Sequence, residues 1–224
     1  IESDGFITLR TGHTEMGQGL FTVAIQTAVQ ETGLPADIFR ASCDTSDPLD
    51  SGQTTGSRGT VLTCHAVIDA CRKLQEDVKT LPLPDTYCVA VDDRRGTGDG
   101  RLRDAGTGNA LVRKALRELA GRKYLGHWEC YKTDKFGADV PDPKTHLTYG
   151  FATQVCILDD NGCIKKFIAA HDVGKAMNPT LLEGQLEGSI HMGLGYALTE
   201  EFVCKDGHLV TDDVKSCGVL RAHQ

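Results

Sequence analysis

The feature that most constrains the fold of this chain is a strand–loop–helix pattern that occurs twice before Leu74. Each copy has a short β-rich run, a glycine-rich loop and a helix. The loops read G-H-T-E-M-G-Q-G-L from Gly12 and S-G-Q-T-T-G-S-R-G-T from Ser51. Such loops present clustered backbone N–H groups, which suit a phosphate-bearing or strongly hydrogen-bonding ligand. The pattern predicts an αβ unit with two ligand-binding loops over residues 1–80.

The first loop places Gln18 between Gly17 and Gly19. Glycine lets the backbone approach a ligand closely, and glutamine offers a neutral amide that donates and accepts hydrogen bonds. The following helix is predicted to end near Gly33. Its buried face is predicted from apolar residues at helical spacing: Phe21, Ala24, Ile25, Ala28 and Val29. On glycine spacing alone, a plain strand-to-helix turn with a solvated Gln18 is the commoner explanation.

The second loop is rich in hydroxyl groups and glycine, and it also leads into a helix. Such a run can bind an anion in a nest of N–H groups, helped by the positive end of the helix. The helix is predicted to bury one stripe: Cys64, Val67, Ala70, Cys71, Leu74 and Val78. Taken alone, a solvated Ser/Thr-rich surface loop explains this segment more often than a binding site does.

A third segment, from His171 onward, contains a helix with an unusual glycine content. Asn178 and Pro179 are typical of the first positions of a helix. The helix carries Gln185 among four glycines, at 184, 188, 193 and 195. Because each interior glycine costs about 1 kcal/mol relative to alanine, we expect a close neighbour there, either another backbone or a ligand.

Together the three segments resemble the molybdenum hydroxylases, the xanthine dehydrogenase and aldehyde oxidase family. The matching strings are T-E-M-G-Q-G-L, T-T-G-S-R-G-T and D-V-G-K-A-M-N-P-T-L-L-E-G-Q-L-E-G, with M-G-L-G-Y-A-L-T-E-E after the last. The resemblance covers roughly residues 12–74 and 124–198. It is nearest to the branch that acts on purines and related N-heterocycles.

The resemblance implies an α/β fold with α+β flavour. Helices would pack on mixed β-sheets, as in the second molybdopterin-binding domain of xanthine dehydrogenase-like proteins. It also implies a molybdenum-pterin cofactor, either molybdopterin or its cytosine dinucleotide. Iron–sulfur and FAD centres would lie on other domains or subunits, and no metal-ligating protein residue is expected. The residues carried over as cofactor contacts are Gly17, Gln18, Gly19, Thr54, Thr55, Gly56, Ser57 and Gln185.

The function implied by the resemblance is that of a subunit of an oxidoreductase that hydroxylates purines or related N-heterocycles. Its partners would be the rest of the molybdenum subunit, the iron–sulfur and flavin components and a small heterocyclic substrate. The family's catalytic glutamate stands in a Gly-Glu-Pro-type motif, which this sequence lacks. We therefore predict no catalytic residue here, and a fragment that is inactive alone.

Two alternatives remain open at the level of sequence. One is a non-redox nucleotide-binding module that uses the same loops. The other is a structural or assembly module that keeps the fold without a ligand. His13 and Glu15 resemble an acid–base pair, but we interpret them as loop or helix-capping residues. His171, at the end of a predicted strand, is interpreted as a structural histidine.

Charge and cysteine usage limit the class of partner and the compartment. The net charge is −7 and no Lys/Arg-rich tract occurs, which argues against nucleic acid or an anionic membrane. Nine cysteines without a C-x-x-C pair indicate free thiols in the reducing cytoplasm. The chain begins with Ile1, without a signal-like segment, so we expect a piece of a longer cytoplasmic protein.

The rest of the chain suggests two further regions. Residues 81–122 form an irregular Gly/Asp/Arg-rich connection with one short helix. The apolar stripe of that helix is predicted from Leu111, Ala115 and Leu119. Residues 123–224 are predicted to form a cofactor unit that contains the glycine-rich helix. Its other elements are a strand near 123–130, a long hairpin turning at Asp159–Gly162 and a short second hairpin.

Overall fold

The protein is described by a computed structural model covering residues 1–83, 105–134, 137–144, 146 and 149–221. The chain divides into two compact units, Ile1–Phe151 and Ala152–Gln224. The boundaries expected from the sequence, near residues 80 and 122, stay predictions. The helices are α1 (Leu20–Thr32), α2 (Gly59–Val78), α3 (Ala105–Leu116) and α4 (Pro179–Leu198). The strands are β1 (Ile7–Arg10), β2 (Phe39–Ser42), β3 (Phe151–Leu158), β4 (Ile164–Asp172), β5 (Cys204–Lys205) and β6 (His208–Leu209).

The first unit is built on a parallel pair of strands with helices packed beside it. β1 pairs with β2 from Ile7 opposite Phe39 to Arg10 opposite Ser42. A parallel pair needs a crossover connection, and α1 provides it before packing against α2. The core is formed by Ile7, Ala24, Ala28, Leu34, Ile38, Phe39, Val67, Cys71, Leu74, Val78, Val112, Leu116 and Leu119. The predicted α/β fold, with helices and β-sheets, is confirmed, but most of the stretch between α2 and α3 lies outside the described residues.

The buried face of α1 differs from the predicted face by about one residue. Leu20, Val23, Ala24, Thr27, Ala28 and Thr32 are buried, whereas Phe21, Ile25 and Val29 are only partly covered. The Thr27 hydroxyl donates to the carbonyl of Val23 at 2.8 Å, so this polar side chain is satisfied inside the core. A pattern counted on apolar residues alone missed the threonines. The predicted end of the helix is confirmed, because Gly33 adopts φ 69° and donates its N–H to the carbonyl of Val29.

The stripe predicted for α3 is likewise corrected. Val112 and Leu116 are completely buried, Ala115 and the following Leu119 are nearly so, and Leu111 is 51% exposed. The helix starts at Ala105, before the predicted Ala110. The core positions Val112, Leu116 and Leu119 follow helical spacing one residue away from the stripe that starts at Leu111.

The strand predicted near residues 123–130 is wrong. This segment lies along α2 and hydrogen-bonds with its side chains. Lys73 Nζ donates to the carbonyl of Leu125 at 2.7 Å, and the N–H of His127 donates to Asp69 Oδ2 at 2.9 Å. Trp128 stacks on His65 with ring centroids 4.6 Å apart. A β-rich composition forms a strand only beside another strand, and here the neighbour is a helix.

The second unit contains both predicted hairpins and the glycine-rich helix. β3 and β4 pair through a turn in which the N–H groups of Asn161 and Cys163 donate to Asp159 Oδ1. Asn178 caps α4 by accepting the N–H of Leu181 at 3.0 Å, as predicted. β5 and β6 are antiparallel, and the two turn residues, Asp206 and Gly207, have φ 50° and 77°. These local signals were sufficient because each depends on neighbouring residues only.

Among the described residues, three of the four glycines of α4 lack the close neighbour that the sequence led us to expect. A Cβ added to Gly184, Gly188 or Gly193 would meet no atom within 4 Å. A Cβ on Gly195 would meet the Glu200 carboxylate. The idea that a ligand explains the other glycines stays a prediction. Within the parts of the chain described here, no helix combines the length and the apolarity that a membrane crossing requires.

Candidate functional site

The first loop has the backbone conformation that its glycines allow. Gly17 and Gly19 have φ 98° and 80°, values that side chains rarely tolerate, and Gln18 lies half-buried between them. A Cβ on Gly17 would meet nothing within 4 Å. The glycine at this position is therefore required by its backbone angle, and the space beside it is open.

The Glu15 carboxylate occupies the backbone N–H groups of this loop. Oε1 accepts the N–H groups of Gly17 at 2.9 Å and Gly19 at 3.0 Å, and Oε2 accepts that of Phe21 at 3.0 Å. Burial opposes the charge, but the hydrogen bonds from Phe21, Gly19 and Gly17 outweigh it and lower the pKa of Glu15. These contacts agree with the interpretation of Glu15 as a loop or helix-capping residue. The carboxylate thus holds the N–H groups of Gly17, Gly19 and Phe21 in this structure, and the contact of Gly17 and Gly19 with a cofactor stays a prediction.

The Gln18 amide closes the same loop from the other side. Its Oε1 accepts the N–H of Met16 at 2.6 Å, and its Nε2 donates to the carbonyl of Thr14 at 2.8 Å. A primary amide has two protons and two oxygen lone pairs. One proton and one lone pair of Gln18 thus remain available for a ligand.

The second loop is more open than the first. Gly56 and Ser57 follow one another in the left-handed region, with φ 65° and 52°, and Thr55, Gly56 and Ser57 are exposed. Arg58, which precedes α2, makes no side-chain hydrogen bond to that helix, since its guanidinium bonds to the carbonyl of Gln53. The N–H groups in the first turn of α2 are not used within the helix. This end of α2 favours a negatively charged or oxygen-rich group.

Hydrogen bonds join the two loops. The N–H of Thr14 donates to Thr54 Oγ1 at 2.9 Å, and the N–H of Gly12 donates to Ser51 Oγ at 3.0 Å. The structure therefore brings the Gly17–Gly19 loop and the Thr54–Ser57 loop together in one unit.

His13 is a buried structural residue of the first loop. It is 3% exposed, and its Nδ1 lies 2.9 Å from Thr63 Oγ1 on α2. Burial lowers the pKa of His13, the positive charge of Arg58 lowers it further, and a hydrogen bond with the backbone of Ser51 opposes both effects. A neutral imidazole that fastens the loop to α2 agrees with the interpretation from sequence.

The remaining predicted contact, Gln185, belongs to the second unit. Its side chain is exposed on α4, and its backbone carbonyl accepts a hydrogen bond from the hydroxyl of Ser189 at 2.8 Å. His171 is half-buried at the end of β4. Among the described residues, no three His, Cys, Asp or Glu side chains are grouped as a metal would require.

Sequence reasoning did not anticipate how Glu15 acts on the loop. The signal was present, since an acidic residue close before a helix start is expected to interact with the free N–H groups of the first turn. The particular N–H groups that Glu15 accepts could not be assigned, because Glu15 lies four residues before Gly19, outside the usual capping position.

Comparison with known proteins shows the family to which the chain is similar. A family described as "Molybdopterin cofactor-binding domain" matches residues 1–224. The chain is 29% identical over 222 residues to a protein of Bacillus subtilis named as a probable xanthine dehydrogenase subunit, covering 96% of this chain and 29% of that protein. It is 25% identical over 222 residues to a nicotinate hydroxylase of Emericella nidulans, covering 94% of this chain and 15% of that protein.

A solved structure shares the fold. The CO dehydrogenase of Oligotropha carboxidovorans superposes with a TM-score of 0.63 at 24% identity, covering 100% of this chain and 28% of that chain. The present chain thus spans less than a third of the length of the proteins it matches.

Proposed function

The chain belongs to the family of molybdopterin cofactor-binding domains, and from that premise we propose that it forms part of the cofactor-binding subunit of an N-heterocycle hydroxylase. The cofactor, when bound, supplies the oxidation–reduction chemistry of such an enzyme. The residues of this chain bind and orient it.

The joined pair of loops in the first unit is the observation that carries the proposal. The hydrogen bond from Thr14 to Thr54 places an amide with a spare donor and a spare acceptor on the loop beside the open second loop. A pterin cofactor is rich in oxygen and nitrogen atoms and carries a phosphate. The residue types therefore fit such a group.

The proposed contacts divide by chemistry. Gln18 and Gln185 would hydrogen-bond to the pterin or to oxygen ligands of the metal. Thr54, Thr55, Gly56 and Ser57, with the first turn of α2, would bind pterin or phosphate oxygens through hydroxyl and N–H groups. Gly17 and Gly19 contribute their backbone angles, because Glu15 already holds their N–H groups.

We propose a purine or related N-heterocycle as substrate, because this class includes the xanthine and nicotinate in the names of two relatives. The whole enzyme would also contain iron–sulfur and flavin components. We propose a cytoplasmic location, in keeping with the free state of all the cysteines that the structure describes.

The test is the molybdenum content of the full-length protein, measured by elemental analysis after purification. We expect Gln18→Ala and Gln185→Ala each to lower the molybdenum bound per protein. The matched control is Gln30→Ala on the exposed side of α1, which should leave it unchanged. Unchanged content in both test variants would favour a structural or assembly module. Nucleotide binding by a protein without molybdenum would favour a non-redox nucleotide-binding module.

A further inference from the structure

The side chains of Glu15 and Gln18 both hydrogen-bond to the backbone of the same loop. We propose that Glu15 is a positioning residue that holds Gln18 in the orientation required to bind the cofactor. This inference rests on the proposed function, since it assigns a role relative to the same cofactor contact.

The hydrogen bonds of Glu15 lie on both sides of Gln18 in the chain. Glu15 Oε1 accepts the N–H of Gly17 on one side of Gln18 and the N–H of Gly19 on the other, at 2.9 and 3.0 Å. The Gln18 amide in turn bonds to the backbone of Thr14 and Met16, the two neighbours of Glu15. Each side chain thus fixes the backbone that carries the other.

The glycines make this restraint necessary. Gly17 and Gly19 can adopt many backbone angles, and glycine loses more conformational freedom on ordering than any other residue. Without the carboxylate, the peptide groups on both sides of Gln18 would lose their common acceptor. The Gln18 side chain would then sample several directions, and binding would require it to be ordered again.

The charge of Glu15 also distinguishes the two loops. Its carboxylate neutralises the positive end of α1, since Oε2 accepts the N–H of Phe21 in the first turn. The corresponding end of α2 has no such side-chain cap from Arg58. The first loop therefore offers a neutral amide beside a fixed negative charge, and anionic groups of the cofactor are directed towards the second loop.

The experiment compares Glu15→Ala, Glu15→Gln, Gln18→Ala and the double variant Glu15→Ala/Gln18→Ala in the full-length protein. Molybdenum content and the hydrogen exchange of residues 12–21 are measured for each. Asp44→Ala is the control, because Asp44 also accepts a backbone N–H, from Ser46, in an exposed turn of the same unit.

We expect Glu15→Ala to accelerate exchange in the loop and to lower the molybdenum content, because removal of an outer-shell partner weakens binding by about tenfold or more. The double variant should bind no more weakly than Gln18→Ala, because Glu15 acts through Gln18. Glu15→Gln keeps one oxygen acceptor and should retain more molybdenum than Glu15→Ala. Asp44→Ala should match the parent protein in both measurements.

The outcomes separate this inference from the proposed function. If Gln18→Ala lowers the molybdenum content while Glu15→Ala and Glu15→Gln leave it unchanged, Glu15 does not position Gln18, and the inference is overturned. Additive losses in the double variant would overturn it as well. If Gln18→Ala has no effect, this inference is overturned, and if Gln185→Ala also has none, the proposed function fails. If Glu15→Ala does not fold, the comparison of Glu15→Gln with Gln18→Ala decides the matter.

Discussion

The backbone N–H of Thr14 donates a hydrogen bond to the hydroxyl oxygen of Thr54 at 2.9 Å. This contact spans two loops that are far apart in sequence and fixes the distance between them. The two loops could act on one ligand only if such a contact is kept, so its loss should affect both the stability of the unit and the cofactor.

The first prediction concerns Thr54→Val, which removes the acceptor and nearly preserves the shape of the side chain. We expect a loss of about 1 kcal/mol in the free energy of unfolding, the usual net value of one hydrogen bond, and a lower molybdenum content. Urea unfolding and elemental analysis measure the two effects. Thr55→Val, at an exposed position, is the control for stability. Equal unfolding free energies for the two variants would contradict this role of Thr54.

The second prediction tests which face of α3 is buried in the core. Leu116 is completely buried and Leu111 is 51% exposed, although the sequence pattern favours Leu111. Leu116→Ala should lower the free energy of unfolding by about 2–5 kcal/mol, because it leaves a cavity in the core. Leu111→Ala should change it by less than about 0.5 kcal/mol. A larger loss in Leu111→Ala would support the stripe predicted from the sequence instead.

The caps and the buried faces of the helices show which part of the fold could be predicted from the sequence. The Asn178 and Gly33 caps followed from local rules, because a cap depends on residues within one turn. The buried faces of α1 and α3 did not, because apolar periodicity leaves an error of about one residue. Buried Thr27 is an example: its hydroxyl is satisfied by its own helix, which a count of apolar residues cannot register.

The sequence identified which residues form the candidate site, but it did not show which atoms each of them contacts. Gln18 and Thr54 were selected from the sequence, and the structure joins their loops. The use of the loop N–H groups was not predicted, because it depends on the direction in which the Glu15 side chain turns. The strand expected at residues 123–130 failed for a related reason, since its neighbour is the helix that carries Lys73 and Asp69.

The third prediction concerns the pH dependence of stability. The pKa of His13 lies below its ordinary value of 6.5 because of burial and, secondarily, the charge of Arg58. Below pH 6.5 the unfolded chain therefore takes up a proton that the folded chain does not. The free energy of unfolding should fall as the pH decreases from about 6.5 towards about 5.

The variant His13→Gln should reduce this fall in the free energy of unfolding, since glutamine does not titrate. It also loses the contact between the imidazole and the Thr63 hydroxyl. His127→Gln, at an exposed position, is the control. Urea unfolding at a series of pH values gives the slope for each protein. Parallel slopes for the parent and His13→Gln would show that His13 is not the group responsible.

The last prediction concerns the reactivity of the cysteines. Burial, with a smaller contribution from the charge of Glu31, raises the pKa of Cys71 to about 12. Near pH 8 only about 0.01% of this thiol is ionised, and the thiolate is the reactive form. Exposed Cys43 serves as the internal control. Iodoacetamide followed by mass spectrometry should label Cys43 in the folded protein and Cys71 only after denaturation. Labelling of both at similar rates under native conditions would mean that α2 opens often enough to expose its buried face.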